Sequence, residues 1–399
     1  MRGLYGSDDA LAAALLDARQ RTLALYGHLD VEQLRVPCIA VVNPPMWELS
    51  HIAWFQEHWC LRGGRRERPA LLADADALFD SSAVAHDTRW SLPYPSWARL
   101  RRYMEDTLHA TLEALEHAPP EERYFFELAL LHEDMHGEAL AMTLQTLSLP
   151  APRFAREPGR CHAATPRDVR FEGGEFEMGT SRRADRFVFD NEKWSHRVRV
   201  APFEISTELV TQGEFRAFVE ASGAMPAHWR RDGTSWQVRR FDRWVDLDPA
   251  APMMHVTQHE AIAYCAWAGR RLPTEREWEF AATDGGCLDP NPWGGGDRTL
   301  ANLDMRHSAP SPDPSEPSSG SGLRRLIGSV WEWTSSAFTG YPGFAPDPYR
   351  DYSVPWFDSH FVLRGGSFAT RSRLVHNRFR NFYLPHRADA FAGLRTCAK

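Results

Sequence analysis

Between Ser148 and Asp168 the sequence changes its grammar. The string SLPAPRFAREPGRCHAATPRD is rich in proline and small residues, as an inter-domain linker is, and its two sides follow different periodicities. Upstream, residues 8–29, 44–62, 95–118 and 120–147 repeat apolar side chains at spacings of three and four, with Pro, Asp and Ser in the gaps. That pattern predicts an up-and-down four-helix bundle. Downstream, GGEFEMGT and HRVRVAPFEIS read as short strands among many glycines, while TQGEFRAFVEASG and TQHEAIAYCAWAG read as helices. The predicted fold is therefore α+β, with a helical domain over 1–150, a linker over 151–168 and a mixed domain over 169–399.

Length and composition agree with two domains. The 399 residues are 43% hydrophobic and 25% charged, enough to bury a real core and incompatible with disorder or a collagen-like chain. Charges interrupt every apolar run before a membrane span is reached, and MRGLYGSDDA lacks the apolar core of a signal peptide, so a cytoplasmic protein without a membrane partner is expected. The net charge is −7 and the basic residues are scattered, which gives no electrostatic support for a nucleic-acid partner. Six cysteines without a CxxC pair predict reduced, mostly buried thiols. The segment ADADALFDSSAVAHDTRWSLPYP is too long for a tight turn and is expected to wrap over one end of the bundle, whereas APSPDPSEPSSGSG, from Ala309 to Gly322, reads as a mobile surface loop. Oligomeric state is left open.

The sharpest chemical signal is LLHEDMHGEAL, which puts His132 and His136 one helical turn apart on one face, the spacing at which two imidazoles grip one metal ion. HEDMH also satisfies the HExxH pattern of zinc proteases, with Glu133 as general base. The extended form of that pattern fails, because Ala139 and Met142 stand where its glycine and third histidine belong. A third ligand must come from elsewhere. His51, in the apolar helix WELSHIAWFQEHW, is the leading candidate and His58 its local rival. Glu138 suits an outer or structural role. Three neutral histidines fill half an octahedron and suit Fe(II) with positions left for other ligands; zinc is chemically admissible. Three function classes follow: an oxidative metalloenzyme, a zinc hydrolase or thiol transferase, and a non-catalytic binding module.

These residues, with GGEFEMGT, RRLPTEREWEFAA, GSVWEWTSSAFTGYPGF, FVLRGGSFAT and NRFRNFYLPHRADAFAGLR, resemble the ergothioneine-type sulfoxide synthases along nearly the whole chain. The resemblance implies a DinB-like bundle followed by a formylglycine-generating-enzyme type domain with a C-type-lectin-like fold. It implies a mononuclear non-heme Fe(II) held by His51, His132 and His136, with O2 as cosubstrate. The reaction it implies joins a chalcogen to the imidazole of hercynine, N-trimethylated histidine. RGGSFATRSRLVHNR lacks the cysteine of formylglycine-generating enzymes, which argues against sulfatase activation.

The resemblance also distributes substrate roles. Asn381 is placed for the hercynine carboxylate, with Arg378 and Arg380 as further positive charge, and Phe382, Trp356 and Phe357 are the aromatic candidates for its trimethylammonium. Tyr349 and Tyr352 are the two candidates for the catalytic tyrosine. Arg89 and Arg387 correspond to arginines that anchor an amino-acid donor, while Trp90 and Asp87 would suit a sugar. Met135 stands where actinobacterial relatives carry a glutamine, and Tyr383 where they carry the aspartate that holds γ-glutamylcysteine. Together with DSSAVAHDTRW and FRNFYLPHRADAFAGLRTC, these departures resemble the selenoneine-forming branch, whose donor is a selenosugar. A sulfur donor, cysteine or γ-glutamylcysteine, is the alternative.

Overall fold

The computed structural model describes residues 7–162, 164–184, 186–285, 302–310 and 321–399. Two compact units result: Met1–Arg153 with Arg183–Phe187, and Phe154–Arg182 with Val188–Lys399. Part of the proline-rich linker thus belongs to the second unit, where Arg156 bridges His307 and the Cys161 N–H donates to Asp248. Cys287 and residues 311–320 of the expected loop lie outside the described residues. Five free cysteines are described, and only Cys265 and Cys397 are buried, so the expectation of mostly buried thiols is corrected.

The helical unit is built from α1 (Asp8–Tyr26), α2 (Pro45–Gln56), α3 (Ala75–Phe79), α4 (Trp97–Leu115) and α5 (Arg123–Thr146). Ser7 caps α1 by accepting from the Ala10 N–H, and Asp8 and Asp9 complement the positive end of its dipole. Leu11, Ala14, Leu15 and Ala18 of α1 pack against Leu115, Phe126 and Leu130. All of α2 except Met46 is buried, so it runs through the interior, as a helix apolar on every side must. Its last turn widens into a π-helix, Glu57–Leu61, held by Glu57, which accepts from the Leu71 N–H and the Tyr103 hydroxyl.

One cation ties the four long helices together. Arg19 of α1 donates to both Glu133 oxygens on α5 at 2.8 and 3.2 Å, to the Met104 carbonyl on α4 at 2.6 Å and to Gln56 on α2 at 2.9 Å. Arg19 and Glu133 are 3% and 1% exposed, so the pair is fully desolvated. The long segment between α2 and α4 does not merely cover an end. It runs along α2, and its Leu78 and Phe79 carbonyls accept from Trp47 and His51.

The second unit has two four-stranded sheets, a two-stranded sheet and a three-stranded meander among the described residues. Its helices α6 (Gln212–Ser222), α7 (Gln258–Trp267) and α8 (Glu275–Ala282) each begin with a Thr-x-x-Glu capping box. The strands Phe361–Arg364 and Asn381–Tyr383 are antiparallel neighbours, with Val362 opposite Phe382. Sequence periodicity misses α8, whose acids resemble a solvated face. In the structure Glu275 and Glu279 are buried against Arg364 at 2.8 and 2.7 Å, and Glu275 also holds Arg380 at 2.7 Å.

Removing one partner of a buried ion pair leaves an uncompensated charge, so Glu133→Ala should lower unfolding free energy by about 3–5 kcal/mol in a denaturant titration. If Glu133 instead serves a metal site as a base, its removal should leave stability nearly unchanged.

Candidate metal centre

His51, His132 and His136 come together although 81 positions separate the first two. One nitrogen of each lies within 4.8 Å of the others, the one such cluster of three or more possible ligands among the described residues. The ring centroids are 5.2 Å apart for His51 and His132, 5.0 Å for His51 and His136, and 4.5 Å for His132 and His136. The helix α5 supplies two rings from one face and α2 supplies the third. His51 and His132 are buried, while the His136 side chain keeps 20% exposure, which leaves the cluster open at that ring.

Hydrogen bonds set the tautomers. His51 Nδ1 donates to the Phe79 carbonyl at 2.8 Å, and His136 Nδ1 meets the Glu48 carboxylate at 2.7 Å. Each bond consumes the Nδ1 proton, so the lone pair of neutral His51 and His136 is left on Nε2. His132 is fixed by stacking on Phe55, with centroids 3.5 Å apart and planes 6° from parallel. Burial first, and neighbouring imidazoles second, push the His51 and His132 pKa values well below 6.5. Three imidazole nitrogens within 4.8 Å of one another, two of the rings held by bonds at Nδ1 and the third by stacking, fit a divalent metal ion.

His58 is not part of this group. It lies at the π-helical turn, stacked on Trp54 at 5.0 Å and set edge-on to Trp59, so the rivalry with His51 is resolved in favour of His51. Glu133, committed to Arg19, cannot serve as a free general base, which removes the structural ground for the zinc-protease reading. Sequence reasoning missed Glu48. An ionisable residue three positions before His51, on an otherwise apolar helix, was the available signal.

Several sequence-predicted substrate residues take other duties. Arg380, 1% exposed, donates to Glu275, the Asn191 carbonyl and the Thr339 carbonyl, so it is a core ion-pair residue rather than a carboxylate binder. Arg378 lies 3.8 Å from Glu279. Arg387 is clamped by both oxygens of Asp389 at 2.6 and 2.5 Å and covers the Tyr383 ring at 5.2 Å. Arg89 donates to Asn43 and the Val84 carbonyl and stacks on Trp47 at 3.8 Å. Trp90 donates to the Val36 carbonyl, and Asp87 opens the same 3-10 turn, His86–Trp90.

Others gather around one ring. Phe382 stacks on Phe338 at 3.9 Å, with Phe357 tilted against Phe338 at 5.0 Å and Tyr352 and His360 edge-on to Phe382 at 6.1 and 6.0 Å. Trp356, 41% exposed, meets His360 edge-on. Asn381 turns its Oδ1 to the Phe382 N–H, which leaves the amide Nδ2 to donate. Tyr349 lies 6.2 Å from Tyr352, whose phenol is held well above the usual pKa by burial and by Glu192 and Asp190.

This pairing of a histidine-bearing helical bundle with a mixed, arginine-braced second unit defines a two-domain class. Residues 14–144 match the DinB superfamily and residues 154–399 match the sulfatase-modifying factor enzyme 1-like domain. The chain is 36% identical to the hercynine oxygenase of Mycolicibacterium thermoresistibile, over 96% of this chain and 94% of that protein. It is 35% identical to the hercynine oxygenase of Mycobacterium tuberculosis, over 98% of each. A formylglycine-generating enzyme of Streptomyces coelicolor is 33% identical over 59% of this chain and 88% of that protein. The chain belongs to the hercynine oxygenase family and is an enzyme of the oxidoreductase type. Among the described residues no helix is long and apolar enough to cross a membrane.

The depressed imidazole pKa values fix a pH dependence for the metal-free protein. Unfolded histidine takes up a proton near pH 6.5, whereas folded His51 and His132 do so only at lower pH. Between those values the unfolded chain binds more protons, so stability should fall as pH drops below about 6.5. His132→Gln should flatten that slope in urea titrations from pH 7 to 5; an unchanged slope would show that His132 titrates normally.

Proposed function

We propose that this chain is a non-heme Fe(II), O2-dependent enzyme that joins selenium from a selenosugar to the imidazole carbon of hercynine, in selenoneine biosynthesis. The observation that carries the choice of donor is the commitment of the two donor-side arginines. A γ-glutamylcysteine or cysteine donor brings carboxylates that need a free guanidinium. Arg387 is neutralised by Asp389, with Tyr383 beneath it, and Arg89 turns Nη1 to Asn43 and Nη2 to backbone carbonyls. An uncharged sugar asks for neither.

His51, His132 and His136 would hold the iron, which when bound supplies electrons to dioxygen and Lewis acidity toward a selenolate. The protein's own groups do the positioning. Phe382, with Phe357 and exposed Trp356 in the same aromatic group, offers ring faces to a trimethylammonium that has no N–H to donate. The Asn381 amide donates to the carboxylate of the same amino acid. Tyr352, a phenol that carries its proton at neutral pH, is the candidate to pass a proton at the site, and Tyr349 is the neighbouring candidate for that duty. These roles follow the family resemblance position by position and predict a cytoplasmic enzyme whose partners are small molecules.

Fe(II)-loaded protein given hercynine and air, with a 1-selenosugar, cysteine and γ-glutamylcysteine in competition, should yield a selenium adduct of hercynine by mass. A sulfur adduct alone would make the chain an ergothioneine-type synthase. Stoichiometric zinc without oxygen consumption would defeat the oxidative reading altogether.

A further inference from the structure

Two of the three imidazoles are backed by groups of different charge. Behind His136 stands the Glu48 carboxylate, 2.7 Å from Nδ1 and 1% exposed. Behind His51 stand a neutral carbonyl, Phe79, and the Trp47 ring, stacked on the imidazole with centroids 4.9 Å apart and planes 6° from parallel. The Trp47 ring in turn carries the Arg89 guanidinium at 3.8 Å, so a cation, an indole and an imidazole lie in series. His132 stacks on the Phe55 ring. Glu48 feels the charge of Arg89, but its carboxylate bonds to His136.

We infer that Glu48 is a positioning residue that makes His136 a stronger metal ligand than His51, through unlike backing groups: anionic at His136 and cation-backed at His51. A carboxylate accepting from Nδ1–H pushes electron density toward Nε2 and raises its donor strength, while a cation beyond Trp47 draws density the other way. The spacing explains why one helix does both jobs. Trp47, Glu48 and His51 lie within five consecutive residues of α2, so Glu48 crosses to His136 on α5 while Trp47, its neighbour at i−1, stacks on His51 at i+3. The inference rests on the metal reading of the triad and adds to it an unequal strength among the ligands.

Glu48→Gln is nearly isosteric and can still accept from Nδ1, so it removes charge and keeps shape. In Co(II) titrations of the full chain against a competing chelator, Glu48→Gln should weaken binding by about 10- to 100-fold and move the visible d–d bands, and Glu48→Asp should recover part of both. Wild-type affinity and an unchanged spectrum for Glu48→Gln would overturn the proposal and reduce Glu48 to a tie between α2 and α5. His136→Ala is the control for the underlying reading: if it binds Co(II) like wild type, the triad is not the metal site. A readout that needs no folded variant is the Nδ1–H resonance of each ring in Zn(II)-loaded, 15N-histidine-labelled wild-type protein. The His136 proton should lie well downfield of the His51 proton; coincident shifts would contradict the grading.

Discussion

The buried pair of Arg19 and Glu133 fixes the helical unit from the inside. Four helices meet at one guanidinium, and each contact is directional, so the bundle cannot rotate one helix about its axis without losing a charge-assisted bond. Glu133 is the chain neighbour of His132, so the same bonds that lock α5 in register set the direction of its histidine face. The site is a consequence of this core: with α5 held by Glu133 and α2 by Gln56, His51 is brought opposite His132 and His136.

Around that frame, the outer contacts decide what the imidazoles can do. Burial keeps His51 and His132 neutral, which a metal ligand requires, and bonds from Nδ1 to Phe79 and Glu48 direct two lone pairs toward a common point. The segment that follows α2 therefore has a functional duty: its backbone supplies the acceptor that aims His51. In the second unit, Arg364, Arg380 and Arg387 are paired with Glu275, Glu279 and Asp389, while Phe382 and Asn381 stay partly exposed.

Much of this was legible in the sequence, because the relevant signals are local. Helical periodicity marks α1, α2, α4 and α5, and the i,i+4 histidines announce themselves within five residues. The third histidine of the cluster was legible on an apolar helix, though only packing separates it from His58. The roles of Arg89, Arg380 and Arg387 were not legible, since nothing in a one-dimensional string distinguishes an arginine offered to a ligand from one already bonded within the protein, whether to Glu275, 105 positions away, as Arg380 is, or to Asp389, two positions on, as Arg387 is. The helix α8 fails for the same reason: its acids look solvated until the arginines that bury them are in place.

The central claim is that three imidazoles hold one iron. Anomalous diffraction at the iron edge, from crystals loaded with Fe(II) under anaerobic conditions, tests it most directly. The account predicts a single strong peak among the Nε2 atoms of His51, His132 and His136, lost in His51→Ala. A peak elsewhere, or one that persists unchanged in His51→Ala, would contradict it.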